Sequence, residues 1–151
     1  MHNESHLDKF LVFNIADYLF ALPISDVLKV MNLSSANSKS LLTMGLVQIG
    51  QYMIKILDLH QHLGSHTFLH SSDQPSFLVV ANHSQRELYG ILVDEPPDIV
   101  ELSKETIRFL PRSSNYRKPI IEMVSHVAVL SEQEVVKTIF LLDLKRIAES
   151  V

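Results

Sequence analysis

The sequence predicts a mainly β protein made of two small barrel-like lobes. Three observations lead there. Apolar runs never exceed five residues (Tyr18 to Leu22, Phe77 to Ala81), and turn signals separate them. Helical stripes are few and brief. The third observation is an internal echo. FLVF at 10–13 returns as FLVV at 77–80. A turn follows each, then YLFALPISDVLKV at 18–30 or YGILVDEPPDIVEL at 89–102. KILDL at 55–59 returns as FLLDL at 140–144. The pieces keep their order, which reads as a duplicated β unit. The lobes run over about 10–64 and 77–142 inside a single domain of residues 1–151, with segments free to interchange between them.

Each element has its own signal. Phe10 to Phe13 and Tyr18 to Leu22 form a hairpin turning near Ala16-Asp17. Ser25 or Asp26 is placed to cap one helical turn before Val27, Leu28 and Val30. Residues 32–40 read as a polar loop. Leu46 to Leu59 reads as two strands around Gly50-Gln51. Asp58 caps a short helix whose Leu59 and Leu63 share a face, and Gly64 ends it. Residues 65–76, rich in histidine and serine, read as a linker between lobes.

The second half repeats the style. Phe77 to Ala81 and Glu87 to Asp94 flank the turn Asn82-His83-Ser84-Gln85. Pro96-Pro97 leaves the ladder, because proline has no N–H to donate. Ile99 to Leu102 is extended, and Ser103 caps another short helix. Residues 111–119 read as the longest polar loop. Ile121 to Val129 reads as an alternating strand, with Ile121, Met123, Val127 and Val129 on one face and Glu122, His126 and Ala128 on the other. Val135 to Leu142 is the last strand. Asp143 caps a C-terminal helix that carries Leu144, Ile147 and Ala148 on one stripe.

Composition narrows the function. Thirteen basic residues against 17 acidic ones, net −4 with no basic tract, give nucleic acid and anionic membrane no foothold. There is no cysteine, hence no disulfide, thiolate metal site or cysteine nucleophile, which suits a reducing compartment. The start MHNESHLDKF lacks the basic and apolar regions of a signal peptide, and no run approaches the roughly 20 apolar residues of a membrane span. The expectation is a cytoplasmic, soluble protein.

Chemistry leaves little trace. Asp58 and Asp143 each begin a helix, where a carboxylate caps free N–H groups, and Asp94 before Glu95-Pro96-Pro97 reads as a turn residue. Four of the eight histidines fall at His60, His62, His66 and His70. A continuous helix would align His62, His66 and His70 as metal ligands. Gly64 and Ser65 interrupt it, so solvated loop histidines are the better reading. No phosphate-cradling or hydrolase motif occurs. The expectation is no catalysis, no cofactor and no metal.

Four segments in order carry a resemblance: FLVFNIADYLFALPISDVLKV, GLVQIGQYMIKILDLHQHLG, YGILVDEPPDIVELSKETIRFLP and TIFLLDLKRIAES. Together they resemble the CheW-like domain of bacterial chemosensory systems, from about Phe10 to the C-terminus. The resemblance implies two small SH3-like β-barrels packed together. It also implies a non-catalytic adaptor that docks the regulatory domain of a CheA-type histidine kinase and takes a chemoreceptor tip between its barrels. Carried over by position, the partner-binding residues are Val27, Lys29, Gly45 and Gly50, with Val93, Asp94 and Ile99 from the second half. The chain departs from the family pattern at several of them. Lys29 stands where the family carries an acid, and Gly50-Gln51 where it carries Arg-Gly. Gln48 replaces an asparagine, Lys55 a proline, and Pro96 a valine. These departures leave a second reading: a regulatory or sequestering protein that holds the kinase but not receptors. A metal-binding protein using the His60–His70 loop is a third.

Overall fold

A computed structural model of the chain describes residues 7–33, 45–64, 77–84, 87–111 and 115–150. Eleven strands fall into two curled sheets. β1 (Leu7–Ile15) and β2 (Tyr18–Pro23) lead through a 3-10 turn (Ile24–Asp26) to β3 (Val27–Asn32). β4 (Leu46–Ile49), β5 (Tyr52–Leu57) and α1 (Leu59–His62) follow, then β6 (Phe77–Ser84), β7 (Glu87–Val93) and β8 (Asp98–Ser103). A second 3-10 turn (Lys104–Thr106) precedes β9 (Ile107–Phe109). α2 (Lys118–Met123), β10 (Val124–Glu132), β11 (Val135–Leu142) and α3 (Leu144–Ser150) complete the chain.

The six-stranded sheet has the order β8-β1-β2-β11-β10-β9, and the five-stranded sheet β3-β6-β7-β5-β4. Each has an antiparallel hairpin at its centre, flanked by a parallel strand from later or earlier in the chain. β11 runs parallel to β2, and β5 parallel to β7. Each half of the chain contributes to both sheets: β1 and β2 go to the six-stranded sheet and β3 to β5 to the five-stranded one, while β6 and β7 go to the five-stranded sheet and β8 to β11 to the six-stranded one. β3 pairs with β6, and β8 pairs with β1.

Local chemistry sets the turns. In the β1–β2 hairpin Ala16 and Asp17 both have positive φ, 51° and 70°, and Gln133 and Glu134 repeat this in β10–β11 at 47° and 68°. Two-residue loops of this hand match the right-handed twist of the strands they join. The Asp58 carboxylate accepts the Gln61 N–H at 3.4 Å and Gly64 follows at φ +79°, as the cap and stop signals require. Asp143 Oδ1 accepts the N–H groups of Lys145 (3.1 Å) and Arg146 (3.4 Å). Ser103 Oγ accepts from Glu105 N–H.

Three expectations change. The first 3-10 turn starts after Pro23 with no side-chain cap, so neither Ser25 nor Asp26 caps it. The expected loop over 111–119 ends early, because α2 begins at Lys118 with Pro119 in its first turn, where a missing N–H costs nothing. Ile121 to Met123 therefore belong to a helix, and the strand starts at Val124. Its two faces are not one apolar and one polar. Val127 packs in the core between the sheets and Ala128 inside the six-stranded curl, while Val129 is exposed. The linker expected at 65–76 lies outside the described residues.

That double burial recurs throughout. Phe10 and Val12 point into the six-stranded curl, and Leu11, Phe13 and Ile15 into the core shared by both sheets. Leu78 and Val80 fill the five-stranded curl, while Val79 and Ala81 face the shared core. The shared core is the largest of the three clusters and also holds Phe20, Phe140, Leu59, Ile120 and Ile147. Strands apolar on both faces read as continuous runs, which is why the central strands show FLVF and FLVV rather than strict alternation.

Candidate functional site

The positions carried over from the family pattern are spread over both sheets. Val27 starts β3, half-buried against the shared core. After a bulge, Lys29 pairs with Val80 and is exposed. Gly45 turns the chain into β4 at φ +78°, and its carbonyl accepts the Ile56 N–H at 2.8 Å. Gly50 opens the two-residue β4–β5 loop at φ +60°, and its carbonyl accepts from Gln48 Nε2 at 3.3 Å. Ile99 lies 62% exposed on β8, opposite Leu11.

Val93 does not fit a contact role. Its side chain is wholly buried in the shared core, because β7 is a central strand covered on both faces. Its neighbour Asp94 stands just beyond the end of β7. None of the seven positions pairs with another in either ladder. Lys29 and Gly50 sit at opposite edges of the five-stranded sheet, on β3 and beside β4.

Asp94 has a partner that the sequence did not suggest. His60, 7% exposed, brings Nε2 to 3.2 Å from Asp94 Oδ1 and Nδ1 to 3.7 Å from Asp58 Oδ1. The start of α1 is thereby joined electrostatically to the β7–β8 connection. His62 sits apart, its Nδ1 3.3 Å from the Asp58 carbonyl. The expected histidine set is thus divided: His60 faces two carboxylates, His62 a backbone oxygen, and His66 and His70 lie outside the described residues. No group of three or more metal-ligating side chains forms among the described residues.

Asp26 and Tyr89 are displaced from their ordinary values. Burial pushes the Asp26 carboxyl up. Burial also raises the Tyr89 hydroxyl, which donates to Glu87 Oε2 at 3.2 Å.

The remaining surface is notable for apolar side chains at sheet edges and hairpin ends. On the five-stranded sheet, Leu28 and Val30 stand out from edge strand β3, and Tyr52 and Met53 from the hairpin at the other edge. On the six-stranded sheet Ile99 and Phe109 occupy the two edge strands, and Val135 and Val136 follow the β10–β11 turn. Edge strands expose unpaired backbone groups, and apolar side chains beside them favour partner contacts. Among the described residues, no helix is long and apolar enough to cross a membrane.

The known proteins agree with this architecture. The crystal structure of the scaffolding protein TtCheW from Thermoanaerobacter tengcongensis is similar over 89% of this chain and 88% of that one, with a TM-score of 0.63 and 18% identity. At that identity the likeness establishes the shared fold. No curated protein matches the sequence. The CheW-like domain matches residues 9–151, nearly the full length. The chain therefore belongs to the CheW-like domain family.

Proposed function

We propose that this chain is a non-catalytic, cytoplasmic scaffold of a bacterial chemosensory assembly. It docks the regulatory domain of a CheA-type histidine kinase, and its receptor-side positions are Val27, Lys29, Gly45, Gly50, Asp94 and Ile99, with Val93 acting beneath them. The observation that carries the reading is the apolar surface at sheet edges, above all Leu28 and Val30 on β3 with Tyr52 and Met53 on the hairpin at the opposite edge. Family membership supplies the context. We also read the two matching strand orders as a duplicated β unit within one domain. A transient contact of this kind buries about 1,200 Å² or less in total, consistent with micromolar affinity. Calorimetry against the kinase regulatory domain tests it. Absence of binding with both proteins folded at high concentration would overturn the scaffold reading.

A second reading keeps the kinase contact and drops the receptor. Lys29 and Gly50 favour it, since they replace an acid and an arginine of the family pattern. Lys29→Glu with Gly50→Arg is expected to bind a typical chemoreceptor tip more tightly than the parent chain. Space is not the obstacle at Gly50, where an added Cβ meets nothing within 4 Å. The positive φ is, because a side chain there costs about 1–2 kcal/mol. A double-mutant cycle on receptor binding separates the two effects. A parent chain that binds the tip as tightly as the double variant would rule out the second reading.

A further inference from the structure

We propose that the open mouth of the six-stranded sheet, together with edge strand β9, binds an extended acidic peptide carrying one large apolar side chain. The site shares no residue with the partner-binding positions above and does not depend on the scaffold reading.

The argument begins with the backbone. Phe109 lies opposite His126 in the β9–β10 ladder, and the Leu110 N–H donates to Ser125 O at 3.0 Å. Leu110–Ser125 is therefore a hydrogen-bonded pair and Phe109–His126 a non-hydrogen-bonded one. Side chains approach more closely in the latter kind, and the Phe109 and His126 rings do lie 4.3 Å apart at 33°. The same alternation turns the Phe109 N–H and C=O to the outer side of β9. Among the described residues no strand lies there, because β9 ends the sheet. One donor and one acceptor thus face outward on an edge, the arrangement that β-strand addition uses.

The side chains add an anchor pocket and a charge. A cleft of about 510 Å³ opens beside β9, with Phe10, Ile107 and Leu141 among its apolar walls. Phe109 forms its lip and is 77% exposed, the most exposed large apolar side chain among the described residues. Leaving such a ring in water forgoes the favourable transfer that burial by a partner would recover. Lys104 and Arg108 line the same cleft against a single acid, Asp8, and neither cation has an ion-pair partner among the described residues. This local positive excess stands in a chain of net charge −4. An apolar pocket, cations at its rim and an unpaired ladder edge are complementary to an extended acidic segment with one bulky apolar residue. They do not suit a basic helix.

The probe is a fluorescein-labelled peptide of sequence Asp-Val-Phe-Val-Asp, titrated into the full chain and followed by anisotropy. Two controls accompany it: Lys-Val-Phe-Val-Lys, and the acidic peptide N-methylated on its backbone. Saturable binding of the acidic peptide is expected, at least about tenfold weaker for the lysine control and for the N-methylated one. Phe109→Ser and Arg108→Glu both alter exposed positions, so the variants fold, which circular dichroism verifies. Each should weaken the acidic peptide about fivefold or more. Equal binding of acidic and basic peptides, no binding of either, or unchanged binding by both variants would overturn the proposal. So would sedimentation showing that the chain dimerises and that Phe109→Ser abolishes the dimer, since a second copy would then occupy the edge.

Discussion

The two sheets share a strand order but fill their interiors differently. In the six-stranded sheet Val12 pairs with Ala21, which pairs with Leu141. In the five-stranded sheet Val80 pairs with Gly90, which pairs with Ile56. Ala21 and Gly90 are thus counterparts at the two sheet centres. Two residues before each valine stand Phe10 and Leu78. Leu78 leans over Gly90 so closely that an added Cβ would lie 2.7 Å from its Cδ1. Phe10 lines the open cleft instead. One sheet is closed by a leucine above a bare backbone, and the other keeps a methyl at its centre and a mouth at its end. The same topology therefore tolerates a sealed lobe and an open one, and which residue is small at the centre follows from how the curl is filled.

The sharpest way to break this comparison is Gly90→Ala. Leu78 is fully buried and must shift, so a loss of about 1–3 kcal/mol is expected in urea denaturation. Removing the crowding side chain as well, with Leu78→Ala, should give a double variant less destabilised than the sum of the singles. Ala21→Gly, with no such crowding, should cost only about 0.5–1 kcal/mol. A neutral Gly90→Ala would mean the two centres are packed alike.

A smaller difference is expected at the two helix caps that close the parallel strands. Asp143→Ala removes a half-exposed cap that also pairs with Arg146 at 3.4 Å, and should cost about 1 kcal/mol. Asp58→Ala also removes a carboxylate that is 8% exposed and faces His60, so about 1–3 kcal/mol is expected. Asp58→Asn keeps the cap and should fall between. Equal losses at both aspartates would show that His60 draws nothing from Asp58.

The smallest effect concerns the two crossovers between sheets. The β2–β3 crossover desolvates Asp26 and raises its pKa, whereas the β7–β8 crossover holds Asp94 half-exposed beside His60. A carboxyl whose folded pKa is raised stabilises the fold only while protonated. That contribution is complete below the ordinary value of 3.8 and disappears as pH rises through the folded value. Asp26→Asn should therefore melt slightly above the parent at pH 7, with the difference closing in acid. A lower melting temperature at pH 7 would show that the carboxylate is favourably held.

Much of this architecture is legible in the sequence because local signals and burial agree. Asp58, Ser103 and Asp143 cap where their spacing places them, and Ala16-Asp17 turns where two apolar runs meet. The expected echo keeps the ladder register in its last piece, KILDL with FLLDL, but not in its middle one. It matches Tyr18 with Tyr89, whereas the pairing makes Ala21 the counterpart of Gly90 and so matches Phe20 with Tyr89. A slip of two residues leaves every side chain on the same face, so the apolar pattern does not mark it. α2 was read as strand because Ile121 and Met123 satisfy a period of two as well as a helical turn. β9 was missed because three residues cannot establish a period. The His60–Asp94 contact joins segments whose proximity depends on the parallel β5–β7 pairing, for which the sequence carries no local mark.

That parallel pairing also orders events in time. Strands β3 to β7, which make the five-stranded sheet, occupy one continuous stretch from Val27 to Val93. The β1–β2 hairpin, made first, has its neighbours in β8 and in β11, which begins only at Val135. On a ribosome adding roughly 5–20 residues per second, β2 waits between about 5 and 20 s for its parallel partner. Through that interval its edge is open, and its cover is the shared core contributed by the five-stranded sheet. The later sheet is thus assembled on the earlier one. A nascent chain arrested before β11 would carry one finished lobe and a β8-β1-β2 sheet with its β2 edge open, the species that a chaperone would have to shield.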